Sequence, residues 1–323
     1  MLKAASAPVV SVLMPTYNRL EFLPAAVESV FAQTLEDWEL IIADDGSGQD
    51  TRAYLESLDD PRVKVIWLAH TGKPSVVTNA ALGEARGEYV AFLDSDDLWH
   101  PRKLQRQVQS LREHPERGWS YTKFAVIDGA GRTVPGAGRT AWPTPTGWIL
   151  EQLLREVTVI AQPSVLVSRQ LLQQLGAFDE ELVMCYDDEL WFRLAARSEI
   201  DGVDEPLTLV RRHASHSGND IIAWRDRRRV FEKALRGGGD DRLQPILRRC
   251  RAQMSAGLAR SQAAGGRRLD ALATVLTSLP HSWAYAGWWR GALAATATAL
   301  APAAALMLLR RGRNHLPGHS SAP

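Results

Sequence analysis

Four short apolar runs, each set off by a helix-like segment, constrain the fold of this chain more than any other feature. VVSVLM (9–14), WELIIA (38–43), VKVIWL (63–68) and YVAFL (89–93) are rich in β-branched and aromatic residues. Strands that alternate with helices in this way form βαβ units and a mostly parallel sheet. None of the four alternates strictly between apolar and polar, as befits strands covered on both faces. The helical segment 74–86 opens on Pro74, where a missing N–H costs nothing because the first amides of a helix have no intrahelical partner. With 323 residues, the chain has room for one α/β domain of about 200 to 250 residues and an appendage.

Beyond residue 100 the pattern changes. Residues 119–134 read as a hairpin around Asp128-Gly129-Ala130-Gly131, and the loop to Gly147 is rich in Pro and Gly. A strand at 164–168, a helix, and a second helix at 187–197 follow. From about 219 the chain is helical and Arg-rich, with breaks at Gly237-Gly238-Gly239 and Gly265-Gly266.

Charge and cysteine content exclude several classes. Lys and Arg number 38 against 37 Asp and Glu, so no global basic field recruits nucleic acid. Cys185 and Cys250 lack CxxC spacing, which argues against a zinc site or a disulfide framework and fits a reducing cytoplasm. The first ten residues hold no apolar core of a secretory signal. Residues 291–309 carry no charge and are bracketed by Arg290 and by Arg310, Arg311 and Arg313. Their Ala content, with Thr296, Thr298 and Pro302, favours an interfacial or docked helix over a membrane span. Such a helix would hold the protein at the inner face of the cell membrane. The alternative is an Ala-rich helix packed on its own protein.

In open α/β sheets ligands lie beyond the carboxyl ends of the strands. Those ends carry PTYNR (15–19), DDGSGQD (44–50) and DSDD (94–97). Each cluster alone reads as a turn or a cap, and Asp97 before Pro101 reads as a helix cap, but together they converge on one rim. Asp94, Asp96 and Asp97 repel one another and need a compensating charge. A calcium loop beginning at Asp94 would need Gly and Glu where Trp99 and Gln105 stand, so an EF-hand is excluded. A dinucleotide fingerprint is absent after the first strand. What remains is a D-x-D that holds a divalent cation together with a substrate diphosphate.

VSVLMPTYNR, ELIIADDGSGQDT, GEARGEYVAFLDSDD and GAFDEEL with DDELWFRLA resemble, in order and spacing, the nucleotide-sugar-dependent family-2 glycosyltransferases. The likeness covers about residues 9–215. It implies the GT-A fold, an inverting transfer to a glycan or lipid-linked acceptor, and Mg²⁺ or Mn²⁺ as cofactor. It divides the chain into a GT-A domain at 1–218 and a helical region at 219–323. Within the first, a nucleotide-binding half runs to about 100 and an acceptor half from about 101.

Residue by residue, the resemblance places Pro15, Thr16 and Tyr17 in the nucleotide pocket and Asp45 against the base. Asp94 and Asp96 fall on ribose and metal, and Asp187 on the general base. Two departures stand out. A basic residue often precedes the Asn that is here Asn79, and this chain has Thr78, which leaves Lys73 or His70 to face the phosphates. The usual Glu-Asp pair reads Tyr186-Asp187. His213 and His216 stand where relatives place polar residues near the diphosphate, and Trp142 and Trp148 flank a candidate sugar-stacking lid.

Helical geometry supports Asp187 over its neighbours: Leu190, Trp191, Leu194 and Ala195 share its side, while Glu189 falls on the far side as a surface partner of Arg193. QxxRW and multiple spans, marks of polymerising relatives, are absent. A catalytically inactive nucleotide-sugar-binding protein of the same fold is the alternative, and a nucleotidyltransferase ranks third because no Gly-rich, Lys-containing loop follows the first strand.

Overall fold

The computed structural model describes residues 7–138, 140–156, 158–213, 220–237 and 240–301. The chain separates into two compact units, Met1–Ser217 and Gly218–Pro323.

The first unit begins as expected, with β1 (Val10–Thr16), α1 (Leu23–Phe31), β2 (Trp38–Asp44), α2 (Gln49–Glu56), β3 (Val63–Trp67), α3 (Pro74–Gly83) and β4 (Tyr89–Phe92). β1 pairs in parallel with β2 and β4, and β2 with β3. Residues 10, 12 and 14 of β1 pack into one apolar cluster and Leu13 into another, so both faces of the sheet are covered, which explains the unbroken apolar runs.

The remainder is β5 (Leu98–Trp99), α4 (Lys103–Glu113), β6 (Arg117–Ile127), β7 (Thr133–Gly138), α5 (Leu150–Leu154), β8 (Val165–Ser168), α6 (Arg169–Leu175), α7 (Tyr186–Arg197) and β9 (Glu199–Arg211). The nine-stranded sheet runs β3-β2-β1-β4-β8-β6-β9-β5, with β7 hairpin-paired to β6. Beyond β4 the pairing is mixed: β8 is antiparallel to both β4 and β6, while β6 and β9 are parallel. Parallel order therefore characterises the half that carries the three polar strand ends. Behind the second half, Lys103 of α4 is fully buried, its Nζ 3.4 Å from the Val165 carbonyl and 4.0 Å from the centre of the Trp99 ring.

The second unit consists of α8 (Asp220–Arg236), α9 (Gln244–Ala264), α10 (Arg268–Ser282) and α11 (Ala286–Leu300). Small residues let these helices approach closely. A Cβ on Gly257 of α9 would come within 2.4 Å of the Trp224 ring, and one on Gly291 within 2.6 Å of the Ala256 methyl. Ala259 and Ala263 of α9 pack with Ala295 and Ala299 of α11. The Ala-rich stretch thus places one face on its own unit through residue 300. Among the described residues no helix is long and apolar enough to cross a membrane.

Candidate functional site

The β1–β2 register sets Thr16 beside Asp44, and the β1–β4 register sets Leu13 beside Phe92. Three strand ends are thereby brought side by side above a cleft of about 370 Å³. Pro15, Thr16, Tyr17, Asp45, Asp94 and Asp96 all line it, joined by Arg19, His70 and Tyr186. Tyr17 stacks on His70 with ring centroids 4.1 Å apart. The buried Oγ1 of Thr16, a residue of the cleft lining, has no hydrogen-bond partner, and an orphaned polar atom of this kind calls for an explanation such as a ligand's donor or acceptor.

Asp45 does more than face the cleft. Its Oδ1 accepts from the Thr71 amide at 2.7 Å and the Thr71 hydroxyl at 2.9 Å, and its Oδ2 from the Gly72 amide at 3.0 Å. The carboxylate therefore holds the 70–72 turn that forms one wall. Lys73 stands outside the cleft lining, with Nζ donating to the Glu180 carbonyl at 3.2 Å. His70, the other residue considered for the phosphates, lines the cleft.

The acidic cluster is real and electrostatically loaded. Burial, with the charges of Asp96 and Asp187, pushes Asp94 up to about 7. Asp97 is raised well above the usual carboxylate range by burial and by Asp94 and Asp96. Asp97 is not a helix cap: its Oδ1 accepts from the Arg211 backbone amide at 2.7 Å, and α4 starts without a side-chain cap. The reason is that β9 ends next to it.

Arg211 is the compensating charge that the sequence reading missed. Its buried guanidinium donates to the carbonyls of Asp96 at 2.7 Å, Gly129 at 3.0 Å and Asp128 at 3.1 Å. Arg19 Nε lies 3.7 Å from Asp96 Oδ2, and His213 Nε2 lies 3.0 Å from the same oxygen. His213 therefore joins the site, while His216 lies outside the described residues. The available signal was no more than the Arg211-Arg212 pair at the end of a strand-like run.

α7 starts at Tyr186 after Cys185, which takes a left-handed conformation with φ of 57°. Asp187, in the first turn and half-buried, is near enough to Asp94 to raise it. Tyr186 is raised well above the ordinary phenol value by burial and by Asp94 and Asp187, so it remains a hydrogen-bond donor. Leu190, Trp191, Leu194 and Ala195 are buried as the helical periodicity requires.

Glu189 departs from expectation. It pairs with Arg193 at 2.7 Å, yet it is buried, because Arg193 also donates to the carbonyls of Leu175, Gly176 and Ala177 and closes the far side. The segment leading to α7 is fastened by α3: Ser75 Oγ donates to the Leu182 carbonyl at 2.9 Å, and Asn79 exchanges 2.9 Å bonds with Phe178 in both directions. Buried Thr78 turns its hydroxyl to the Pro74 carbonyl at 2.8 Å. Trp148 is 60% exposed.

Among the described residues no group of three or more His, Cys, Asp or Glu side chains is arranged as a self-sufficient metal cage. A Mg²⁺-type site needs less, since one or two carboxylates suffice when substrate phosphates supply other ligands. Asp94, pushed towards protonation by burial and then by its neighbours' charge, and Asp96, paired at one oxygen with His213, fit that limited donor set.

The model for "Glycosyl transferase family 2" matches residues 11–176. The chain is 37% identical over 120 residues to the UDP-Glc:alpha-D-GlcNAc-diphosphoundecaprenol beta-1,3-glucosyltransferase WfgD of Escherichia coli, covering 37% of this chain and 47% of that protein. The chain spans about a third to a half of the length of the first curated relatives it matches. In fold it is similar to S. aureus TarS 1-349 in complex with UDP-GlcNAc, with TM-score 0.64 and 19% identity over 94% of this chain and 92% of that one. It is also similar to the mannosyltransferase PcManGT from Pyrobaculum calidifontis in complex with GDP-Man and Mn2+, with TM-score 0.56 and 18% identity, over 97% and 89% of the two chains. The architecture is the GT-A arrangement with a helical C-terminal region.

Proposed function

Since the chain belongs to glycosyl transferase family 2, we propose that it transfers one sugar per encounter, with inversion, from a nucleoside-diphosphate donor to a glycan or lipid-linked acceptor in cell-surface polysaccharide synthesis. The observation that carries this reading is the convergence of Asp94 and Asp96 with Thr16, Tyr17 and Asp45 on one cleft, with Asp187 close enough to Asp94 to raise it. The division of labour follows: the nucleotide lies along the first half of the sheet, up to about residue 100, and the acceptor along the second. WfgD's printed substrates, UDP-Glc and a diphosphoundecaprenol-linked sugar, support a nucleotide sugar and a lipid-linked acceptor.

The base takes the Tyr17–His70 wall, and Thr16 Oγ1 gains the partner it lacks. Asp94 and Asp96, the latter hydrogen-bonded to His213, would hold Mg²⁺ or Mn²⁺, a role supported by the Mn2+ bound in PcManGT. The cation's contribution, when bound, is to neutralise charge that develops on the leaving diphosphate. Asp187, partly desolvated, takes the proton of the acceptor hydroxyl as that oxygen attacks the anomeric carbon. Arg211 keeps the carboxylates at their spacing by tying Asp96 and Asp97 to the 128–129 turn.

Tyr186 in place of the usual acid is the one observation favouring a binding protein without turnover, and the retained Asp187 opposes it. A lipid-linked acceptor places the protein at the inner membrane face, with the C-terminal helix as a peripheral contact. The test is a thermal-shift panel of nucleotide sugars with and without Mn²⁺. A donor at about a hundred times its dissociation constant adds roughly 2.7 kcal/mol of stability. Absence of any shift across the panel overturns the donor site, and a shift without transfer or donor hydrolysis leaves the non-catalytic reading.

A further inference from the structure

The C-terminal helices expose an apolar face that their own core does not use. On α10 Leu269 and Leu276, and Trp283 at its C-terminal cap, are 82%, 68% and 66% exposed, and on α11 Trp289, Leu293 and Leu300 are 43%, 64% and 67% exposed. Their spacings place them along one stripe on each helix. The opposite faces are buried, with Ala271, Thr274 and Ser278 on α10 and Ala292, Ala295 and Ala299 on α11. The stripes meet where Trp289 Nε1 donates to the Trp283 carbonyl at 2.7 Å. An isolated exposed leucine is ordinary, but two joined stripes of Leu and Trp mark an interaction surface.

Trp283 also borders a cleft of about 460 Å³ that is lined by Gln244, Arg248, Arg251, His281 and Tyr285. Among the described residues, no carboxylate pairs with Arg248 or Arg251. The charge of the whole segment points the same way. Residues 218–323 carry 17 Lys and Arg against 6 Asp and Glu, whereas the first 217 residues carry 21 against 31.

We propose that this face of α10 and α11 docks on an anionic phospholipid bilayer. The Leu and Trp stripes enter the interfacial layer, and Arg248, Arg251 and His281 take lipid phosphate. Amphipathic surfaces with Trp and Leu on one side and Arg beside them bind at this depth, and each basic residue near an anionic leaflet adds about 1 kcal/mol. A second copy is the poorer occupant, because a twofold contact through this face sets one basic cleft against another. The inference extends the peripheral contact named above from a single helix to a two-helix surface. It is independent of the donor chemistry, so its test uses binding alone.

The full chain is sedimented with vesicles of phosphatidylcholine alone and of phosphatidylcholine with phosphatidylglycerol. Binding to the second and little to the first is expected. Arg248→Gln with Arg251→Gln lowers the anionic-lipid affinity roughly thirtyfold, and Leu276→Ser with Leu293→Ser lowers it at both compositions. All four positions lie off the buried core, and unchanged melting temperatures confirm the fold. Wild-type affinity in both double variants overturns the proposal and shifts the contact to the chain beyond residue 301. Loss of anionic-vesicle binding in equimolar free phosphate would reassign the cleft to a soluble anion. A concentration-dependent dimer abolished by the Leu variants, without vesicle binding, would assign the face to a second copy.

Discussion

The clustered acids at the strand ends and the lone Lys103 behind the sheet are both charges taken out of water, and the fold treats them in opposite ways. Around Asp94, Asp96 and Asp97 it gathers Arg19, Arg211 and His213, and still leaves Asp94 and Asp97 raised. Around Lys103 it supplies a carbonyl and an aromatic face, and burial drives the amine well below its usual value, towards the neutral form. A lone buried charge is tolerated by losing the charge. On the proposed function, the cluster is retained despite its repulsion because it is preorganised for a cation or substrate, at a cost in stability to the ligand-free protein.

That contrast is broken most decisively at Asp187. Asp187→Asn keeps the shape of the site and should lower transfer by about 10² to 10⁴-fold while donor and metal binding persist. An equal loss in donor affinity, measured by calorimetry, would make it a binding residue instead. A dead Asp188→Asn beside an active Asp187→Asn would move the base one residue along. Asp96→Ala should abolish metal-dependent donor binding and leave the melting temperature unchanged or higher, because it removes a carboxylate from a repelling group.

Next in size is Arg211→Met, which leaves the buried acids and three carbonyls without their cation and should destabilise the protein by about 3 kcal/mol in urea unfolding. Lys103→Met should act in the other direction. At neutral pH it removes a poorly partnered amine from the core and should stabilise by roughly 1 kcal/mol, with transfer activity unchanged.

The smallest effects are two slopes of opposite sign. The unfolded chain loses its Asp protons near about pH 4, and folded Asp94 loses its proton near about 7, so the metal-free protein loses stability as pH rises across that window. Burial lowers folded Lys103 well below its unfolded value of about 10, so its contribution is lost as pH falls below that value. Melting curves in chelator should show Asp94→Asn flattening the acid limb alone and Lys103→Met the alkaline limb alone.

The strands and the rim were legible because each depends on local pattern: four apolar runs became β1 to β4, and the polar residues after them had only the strand ends to occupy. What escaped depends on distant packing. Glu189 was read as solvent-facing from its helical angle, but the carbonyls of residues 175–177 recruit Arg193 over it. Arg211 and Asp97 meet across 114 residues of sequence, and no spacing rule joins the end of β9 to a turn after β4. Lys103 is likewise buried by distant packing, against the Val165 carbonyl of β8 and the Trp99 ring.

The bonds that Ser75, Asn79 and Lys73 make to residues 178–182 tie two segments about a hundred positions apart into a single unit of opening. The Phe178 amide, held by the Asn79 side chain, can exchange its proton with solvent only when that tie releases. Occupancy of the α3 side of the cleft should therefore be readable as slowed deuterium uptake at Phe178, in the segment that delivers α7, even where no ligand atom reaches it. The same tie makes Asn79→Ala a way to uncouple the two segments: uptake at Phe178 would then rise to the rate of its neighbours, whether or not the cleft is filled.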